Sequence, residues 1–194
     1  MEKIKFIDLF CGIGGFRVAM DEACRENNII SECVFSSDID KHCQDSYENN
    51  FGHRPTGDIT MVDPVSIPDH DILFAGFPCQ PFSIIGQMKG FDDTRGTLFF
   101  HIANILKEKK PKSFILENVK QLVGHNGGQT LKVIIKTLQD LGYHVQYSVL
   151  NALDYGLPQK RERVIIVGHR EPILFSYPLP FRPFKPLSEI LEKK

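Results

Sequence analysis

Short runs with strand character alternate with helix-period runs from the first residues onward, and that alternation narrows the choice of fold more than any other feature. Residues 3–10 carry Ile4, Phe6 and Leu9 and read as a strand entering a core. A glycine-rich break follows, Cys11-Gly12-Ile13-Gly14-Gly15, and then Phe16, Ala19, Met20, Ala23 and Cys24 fall on one face of an amphipathic helix. Further strands are expected at 32–37, 71–75, 112–117, 144–150 and 163–167, with helices at 40–49 and 97–107. Leu131, Ile134, Ile135, Leu138 and Leu141 share another helical face, and Gly142 supplies its stop signal. Residues 78–96 are rich in Gly, Pro, Ser and Asp and read as a long loop. The predicted class is α/β, a mostly parallel twisted sheet with helices on both faces.

The chain has 194 residues, the length of one domain, with 42% apolar and 24% charged residues, which excludes disorder, collagen and coiled coil. Lys plus Arg number 23 against 24 Asp plus Glu, for a net charge of −1. Such a balance gives no global pull toward polyanions, so any nucleic acid must be held by a local patch or with help. The longest apolar run, at 164–167, is far short of the ~20 residues a membrane span needs. No apolar signal core follows Met1, and a cytoplasmic location is expected. Cys11, Cys24, Cys33, Cys43 and Cys79 show no paired spacing, and His42-Cys43 is the one His/Cys neighbour pair. Free thiols in a reducing compartment are expected, with neither a disulfide framework nor a zinc or other metal site. The main domain is expected over residues 1–170 and a Pro/aromatic-rich tail over 171–194, where five of the twelve prolines fall between Pro172 and Pro186. The favoured reading of the tail is an extended strap on the domain surface; the other is a linker toward a further region.

A glycine-rich turn between a first strand and a first helix lets backbone approach a nucleotide and presents free N–H groups to it. Asp38, after the second strand, stands where an acid takes both hydroxyls of a ribose. Residues 10–15 with Asp38 thus form a nucleoside-cofactor signature, although glycines at such junctions are often only turns. A dinucleotide loop wants Gly or Ala at the sixth position of G-x-G-x-x-G, and counting from Gly12 that position is Arg17. A cofactor with an adenosine but no phosphate, such as S-adenosyl-L-methionine, fits better.

The reactive candidates follow later strands. Gly76-Phe77-Pro78-Cys79-Gln80-Pro81-Phe82-Ser83 sets a thiol between prolines just past a strand, on the edge where α/β active sites sit. A phosphatase needs Arg six residues after the Cys; Ile85 is there instead. Phe114-Ile115-Leu116-Glu117-Asn118-Val119 puts a carboxylate at the end of an apolar strand, where low dielectric is expected to raise its pKa toward neutrality. Such a Glu is more often a helix cap. Gln159-Lys160-Arg161-Glu162-Arg163 precedes the last strand and reads either as a solvated turn or as a grip for phosphate or a second carboxylate.

Taken in order and spacing, Asp8-Leu9-Phe10-Cys11-Gly12-Ile13-Gly14-Gly15-Phe16, Phe-Pro-Cys-Gln at 77–80, Glu117-Asn118-Val119 and the 159–163 run resemble the bacterial C5-cytosine DNA methyltransferases of restriction–modification systems. The similarity runs from about Lys5 to Val167 and includes the segments 90–96 and 151–156. It implies a Rossmann-like S-adenosylmethionine-dependent methyltransferase fold and methyl transfer to carbon 5 of cytosine in duplex DNA. By this resemblance Cys79 adds as thiolate to carbon 6, making carbon 5 nucleophilic, and Glu117 protonates or hydrogen-bonds ring N3. Asn118 helps set that carboxylate; of Arg161 and Arg163, one reaches the cytosine O2 side and the other orients the Glu. Loss of the carbon 5 proton then releases Cys79. The target base must be flipped out of the duplex.

The same resemblance assigns the cofactor contacts. Phe10 stacks on the adenine with Ile39 on its other face, Asp38 takes the ribose, and Asp58, with Ile59 beside it, takes the adenine amino group. Cys11, Gly12, Ile13 and Gly15 lie along the methionine part, and Pro78 and Leu98 close the site. Residues 80–96 resemble the family's lid, with Gln80, Ser83, Lys89 and Arg95 on the DNA. A variable target-recognition region and C-terminal motifs follow in the family, so a complementing chain carrying them is an expected partner. Two other functions compete. A tRNA cytosine methyltransferase shares the chemistry, but those enzymes tend to carry Pro-Pro-Cys-Gln, and Phe77 precedes Pro78 here. A catalytically silent cofactor-binding subunit is the other, against which Cys79, Glu117, Arg161 and Arg163 stand together.

Overall fold

The structure, a computed structural model, describes residues 2–78 and 98–181. Six strands form one sheet: β1 (Lys3–Leu9), β2 (Ile30–Ser37), β3 (Ile72–Gly76), β4 (Ser113–Val119), β5 (His144–Asn151) and β6 (Glu162–His169). Among the described residues four α-helices accompany them: α1 (Gly15–Glu26), α2 (Lys41–Phe51), α3 (Leu98–Lys109) and α4 (Gln129–Asp140). The spatial order is β2-β1-β3-β4-β6-β5. Three neighbouring pairs are parallel, β1 with β2, β1 with β3, and β3 with β4. The expected sheet is therefore present, but its last two pairings run the other way: β6 is antiparallel to both β4 and β5.

Alternation along each strand sorts the side chains between two faces. Ile7, Leu9, Leu73, Ala75, Phe114, Leu116, Val164 and Ile166 share one face, and α3 and α4 cover it with Ile102, Ile105, Leu131, Ile134 and Leu138. Phe6 and Phe74 face the other way, against Met20 and Cys24 of α1 and with Phe16 packed alongside. Helix α2 abuts α1 on that second face, where the Arg17 guanidinium sits 5.1 Å from the Phe51 ring centre. Two helix ends show their caps, Gly142 at the expected stop. Asp40 caps α2 by accepting from the N–H groups of His42 and Cys43, and Gly142 turns left-handed (φ 88°) after α4.

The described residues beyond β6, up to 181, run back past β6 and the 152–155 turn. The Tyr177 hydroxyl donates to the Ile165 carbonyl at 3.0 Å, Tyr155 donates to the Pro178 carbonyl at 3.0 Å, and the Phe181 N–H reaches the Asp154 carbonyl at 3.0 Å. Among the described residues Cys11, Cys24, Cys33 and Cys43 are free thiols, no His/Cys/Asp/Glu group is arranged to hold a metal, and no helix is long and apolar enough to cross a membrane.

The β4–β6 contact is tight at one point. A methyl group on Gly168 would enter the ring of Phe114 across the pair, and that ring is fully buried and packed edge-on against Tyr143 at 5.0 Å. Tyr143 is itself tied by its hydroxyl to the Pro111 carbonyl at 2.9 Å, so neither ring has room to yield. Gly168→Ala is expected to cost about 1–3 kcal/mol by overpacking, measured as a lower urea midpoint with unchanged slope; an unaltered midpoint would show that the pair tolerates the methyl.

Candidate active site

The connections leaving β1 and β3 pass over opposite faces of the sheet, α1 on one and α3 on the other. The crevice beyond their carboxyl ends is the switch point at which open α/β sheets bind ligands. Phe10 leaves β1 there with φ 55°, a left-handed conformation uncommon for a bulky side chain. The Cys11 N–H then bonds the Ser37 carbonyl at 3.0 Å, joining the loop to the end of β2. Gly14 turns with φ 95°, and a Cβ there would strike the Phe51 ring, so this position needs glycine on both counts.

Asp38 fixes the relation between the two strand ends. Its Oδ2 accepts the Gly12 N–H at 2.8 Å and its Oδ1 accepts the Asp40 N–H at 2.9 Å. A carboxylate has about four acceptor sites, so these two bonds orient the group and leave room on each oxygen for a further donor. An isolated parallel bridge, Ser37 with Thr56, brings the next segment alongside. There Asp58 accepts the Thr60 N–H at 2.9 Å, and that bond holds the Asp58 carboxyl below its ordinary range.

Phe10, Ser37, Asp38, Ile39, Gly57, Asp58, Ile59, Thr60, Pro78 and Leu98 line one cavity of about 360 Å³. Of the residues expected to hold the cofactor, Phe10, Asp38, Ile39, Asp58, Ile59, Pro78 and Leu98 are thus brought together. Cys11, Gly12, Ile13 and Gly15 belong to the adjoining loop and do not line it; Cys11 is buried and Ile13 is 67% exposed. Ser37, Gly57 and Thr60 were not foreseen. Thr60 had a signal, since an acid two residues before it is a turn-forming pattern. The volume, two acids and apolar walls fit an adenosine-sized group.

The second half of the site lies one strand over. Strand register sets Glu117 opposite Gly76, and antiparallel β6 sets Arg163 opposite Val119. Arg163 Nε meets Glu117 Oε1 at 2.7 Å. Glu117 is therefore not the isolated acid in low dielectric that its strand suggested: its side chain is 24% exposed and its charge is matched by a guanidinium. The reversal of β6 is the reason, because it returns the 161–163 segment to the edge where β4 ends.

Asn118 also acts differently from expectation. It is buried, donates from Nδ2 to the Phe77 carbonyl at 2.9 Å, and accepts the Val119 N–H at 2.8 Å. It pins the segment entering Pro78 rather than the Glu117 carboxylate. Arg161 is exposed, and its backbone is held by Asn151 Oδ1 at 3.1 Å and by the Ala152 N–H at 3.0 Å. Arg161 and Arg163 line a second cavity, of about 340 Å³, with Lys120, Gln121, Gln159, Lys160 and Glu162. Glu162 is paired with Lys120 at 2.7 Å, so the lining is basic on balance. Cys79, Gln80, Ser83, Lys89 and Arg95 lie outside the described residues.

The family model for C-5 cytosine-specific DNA methylases matches residues 4–192. The type II methyltransferase M.NgoBI of Neisseria gonorrhoeae is 56% identical over 188 residues, which is 97% of this chain and 57% of that protein. M.HhaI of Haemophilus parahaemolyticus is 54% identical over 181 residues, 92% of this chain and 54% of its own. The chain thus spans a little over half the length of these curated relatives. Among solved structures, the Entamoeba histolytica methyltransferase EhMeth superposes with a TM-score of 0.77 at 20% identity, over 100% of this chain and 61% of the other. A Spodoptera frugiperda DNMT2 variant gives 0.76 at 24% identity, over 98% and 60%. These two carry the fold, a Rossmann-like methyltransferase architecture. The family match over nearly the whole chain, joined to identities above one half with named type II methyltransferases, makes this polypeptide a member of the C-5 cytosine-specific DNA methylase family.

Proposed function

We propose that this chain is the catalytic and cofactor-binding part of an enzyme that methylates carbon 5 of cytosine in duplex DNA, with S-adenosylmethionine held in the cavity at the β1/β3 switch point. The observation that carries the reading is the adjacency of two chemistries on one sheet edge. Pro78 lines the cofactor cavity, Phe77 before it is tied to Asn118, and Asn118 follows the Glu117 that Arg163 holds.

Asp38 takes the ribose hydroxyls with its remaining acceptor sites, Asp58 accepts from the adenine amino group, and Phe10 and Ile39 cover the ring. Cys11, Gly12, Ile13 and Gly15 supply the loop along the methionine part, Ile59 backs the adenine, and Pro78 and Leu98 close the cavity. The cofactor supplies an electrophilic methyl group when bound. Cys79, bonded to Pro78, is the nucleophile that adds to carbon 6 of the flipped cytosine. Glu117, having taken a proton from solvent, donates it to ring N3 as negative charge develops there, with Arg163 fixing its direction. Arg161 reaches toward the O2 side, and Asn118 positions the segment that leads into Cys79. Gln80, Ser83, Lys89 and Arg95 contact the DNA, and the basic cavity around Lys160 faces the phosphate backbone.

Sequence reading belongs to a further region, on this polypeptide or on a complementing chain, in keeping with the greater length of the relatives. The setting is the cytoplasm. The test is transfer of labelled methyl from S-adenosylmethionine to mixed-sequence duplex DNA and, separately, to bulk tRNA, with the chain supplemented by the C-terminal part of a relative. Label in the duplex is expected; label in tRNA alone would overturn the DNA reading. Cys79→Ala should abolish transfer and leave cofactor affinity intact, and full activity in that variant would remove the covalent step. Asp38→Ala should weaken cofactor binding by about 1.5–3 kcal/mol in calorimetry, the size of a hydrogen bond to a charged group; equal affinity would take Asp38 out of the cavity's work.

A further inference from the structure

Asp8 is the penultimate residue of β1, opposite Ser36 of β2 and Phe74 of β3. Its side chain is fully buried, and neither carboxyl oxygen makes a hydrogen bond of full geometry, although the Tyr47 hydroxyl lies near enough to favour the ionised form. Its neighbour across β3 is Phe74, whose ring is stacked on Phe16 at 5.2 Å. The ionisable groups around it are Arg17 from α1, Tyr47 from α2, Cys33 from β2, Cys11 from the glycine loop and Asp38 from the cofactor cavity. His53 stands beyond Tyr47, bonded to Ser36 at 3.0 Å.

Among the described residues Arg17 is the cation beside it, and it makes no hydrogen bond to Asp8. Its Nε donates to Asp21 at 2.8 Å, its guanidinium lies over the Phe6 and Phe51 rings, and its buried Nη1 has no partner. An ionised Asp8 would be a buried charge with no support beyond Arg17 and the loose approach of Tyr47, beside the like charge of Asp38; the neutral acid avoids that cost. Burial, outweighing Arg17, pushes the Asp8 carboxyl up to about 8. The same burial raises the Cys11 and Cys33 thiols and the Tyr47 phenol, which stay protonated, and lowers His53, which stays neutral. Asp8 is thus the group beneath the cofactor loop whose proton is exchangeable near neutrality.

We propose that Asp8 is a neutral carboxylic acid in the cofactor-free protein and releases its proton to solvent when the cationic cofactor binds, which makes cofactor binding proton-linked. The proposal rests on the reading of the cavity as a site for a sulfonium cofactor. The net positive charge of S-adenosylmethionine, brought to the loop between Asp8 and Asp38, favours the ionised form of Asp8. Asp8 is a positioning residue: its charge steadies the loop that holds the sulfonium. Affinity for the cofactor then rises with pH until the carboxyl of the free protein has titrated, and is level above that.

Two measurements test this on the chain itself. Urea unfolding between pH 6 and 9 reads the free protein. A raised carboxyl stabilises the fold below its unfolded pKa and loses that contribution as pH climbs through about 8, so wild type should lose stability there relative to Asp8→Asn. Parallel curves would overturn a protonated Asp8. Calorimetry at pH 7 in buffers of different ionisation enthalpy reads the coupling. S-adenosylmethionine should release roughly one proton per site, and S-adenosylhomocysteine, which lacks the sulfonium charge, clearly less. Asp8→Asn should remove the difference between the two ligands. Binding of both ligands to wild type with the same proton count would overturn the coupling, whereas binding of neither would overturn the cofactor reading on which it rests.

Discussion

The direction of β6 is the constraint on which the reactive half of the site depends. A strand added in parallel to β4 would begin at the amino edge of the sheet, and the segment before it would stand a full strand length from the cofactor cavity. Because β6 runs antiparallel, the residues that precede and open it return to the carboxyl edge, and Arg163 meets Glu117 at 2.7 Å. The same reversal sets Lys120 beside Glu162 and gathers the basic residues of the 159–163 run around one cavity. Close packing of Gly168 against the Phe114 ring, at the far end of the same pair, keeps the two strands in register.

The half of the site at the β1/β3 crevice obeys a different rule. Parallel strands with crossovers on opposite faces leave a crevice, and backbone hydrogen bonds decide its shape. Asp38 is central because it joins two loops: one oxygen holds Gly12 after β1, the other holds Asp40 before α2. Its backbone does as much, with its N–H on the Thr56 carbonyl at 3.0 Å and its carbonyl accepting from Gln44 at 2.6 Å. The two halves meet at Phe77 and Pro78, where Asn118 ties the Phe77 carbonyl to the strand that carries Glu117.

Much of this was legible in the residues, and the reasons for the rest are physical. The alternation of Ile4, Phe6 and Leu9 and the spacing of Leu131, Ile134 and Leu138 report local periodicity, which one chain segment determines by itself. Phe10, Asp38 and Asp58 were marked by motif order. Strand direction was not legible, because a two-residue period reads the same both ways. Glu117 reads from its strand alone as a lone acid; the resemblance gives it either Arg161 or Arg163, and only the direction of β6 selects Arg163, forty-six residues away. Asn118 reads from sequence as a partner of its neighbour Glu117, whereas its side-chain amide donates to the Phe77 carbonyl just past the end of β3. Asp8 stood inside the recognised motif, but its state depends on Arg17 being turned to Asp21 and on Phe74 beside it on β3, contacts that no local pattern announces.

The most direct measurement is covalent capture with S-adenosylmethionine and a mixed-sequence duplex carrying 5-fluorocytosine, with the chain again supplemented by the C-terminal part of a relative. Fluorine at carbon 5 cannot leave as the proton does, so a nucleophile bonded to carbon 6 stays bonded after methyl transfer. A single edge that joins cofactor cavity and acid predicts one stable adduct, mapped by peptide mass to Cys79 and lost when the Glu117–Arg163 pair is broken by Arg163→Gln. An adduct on another cysteine, or none while the cofactor is bound, would contradict it.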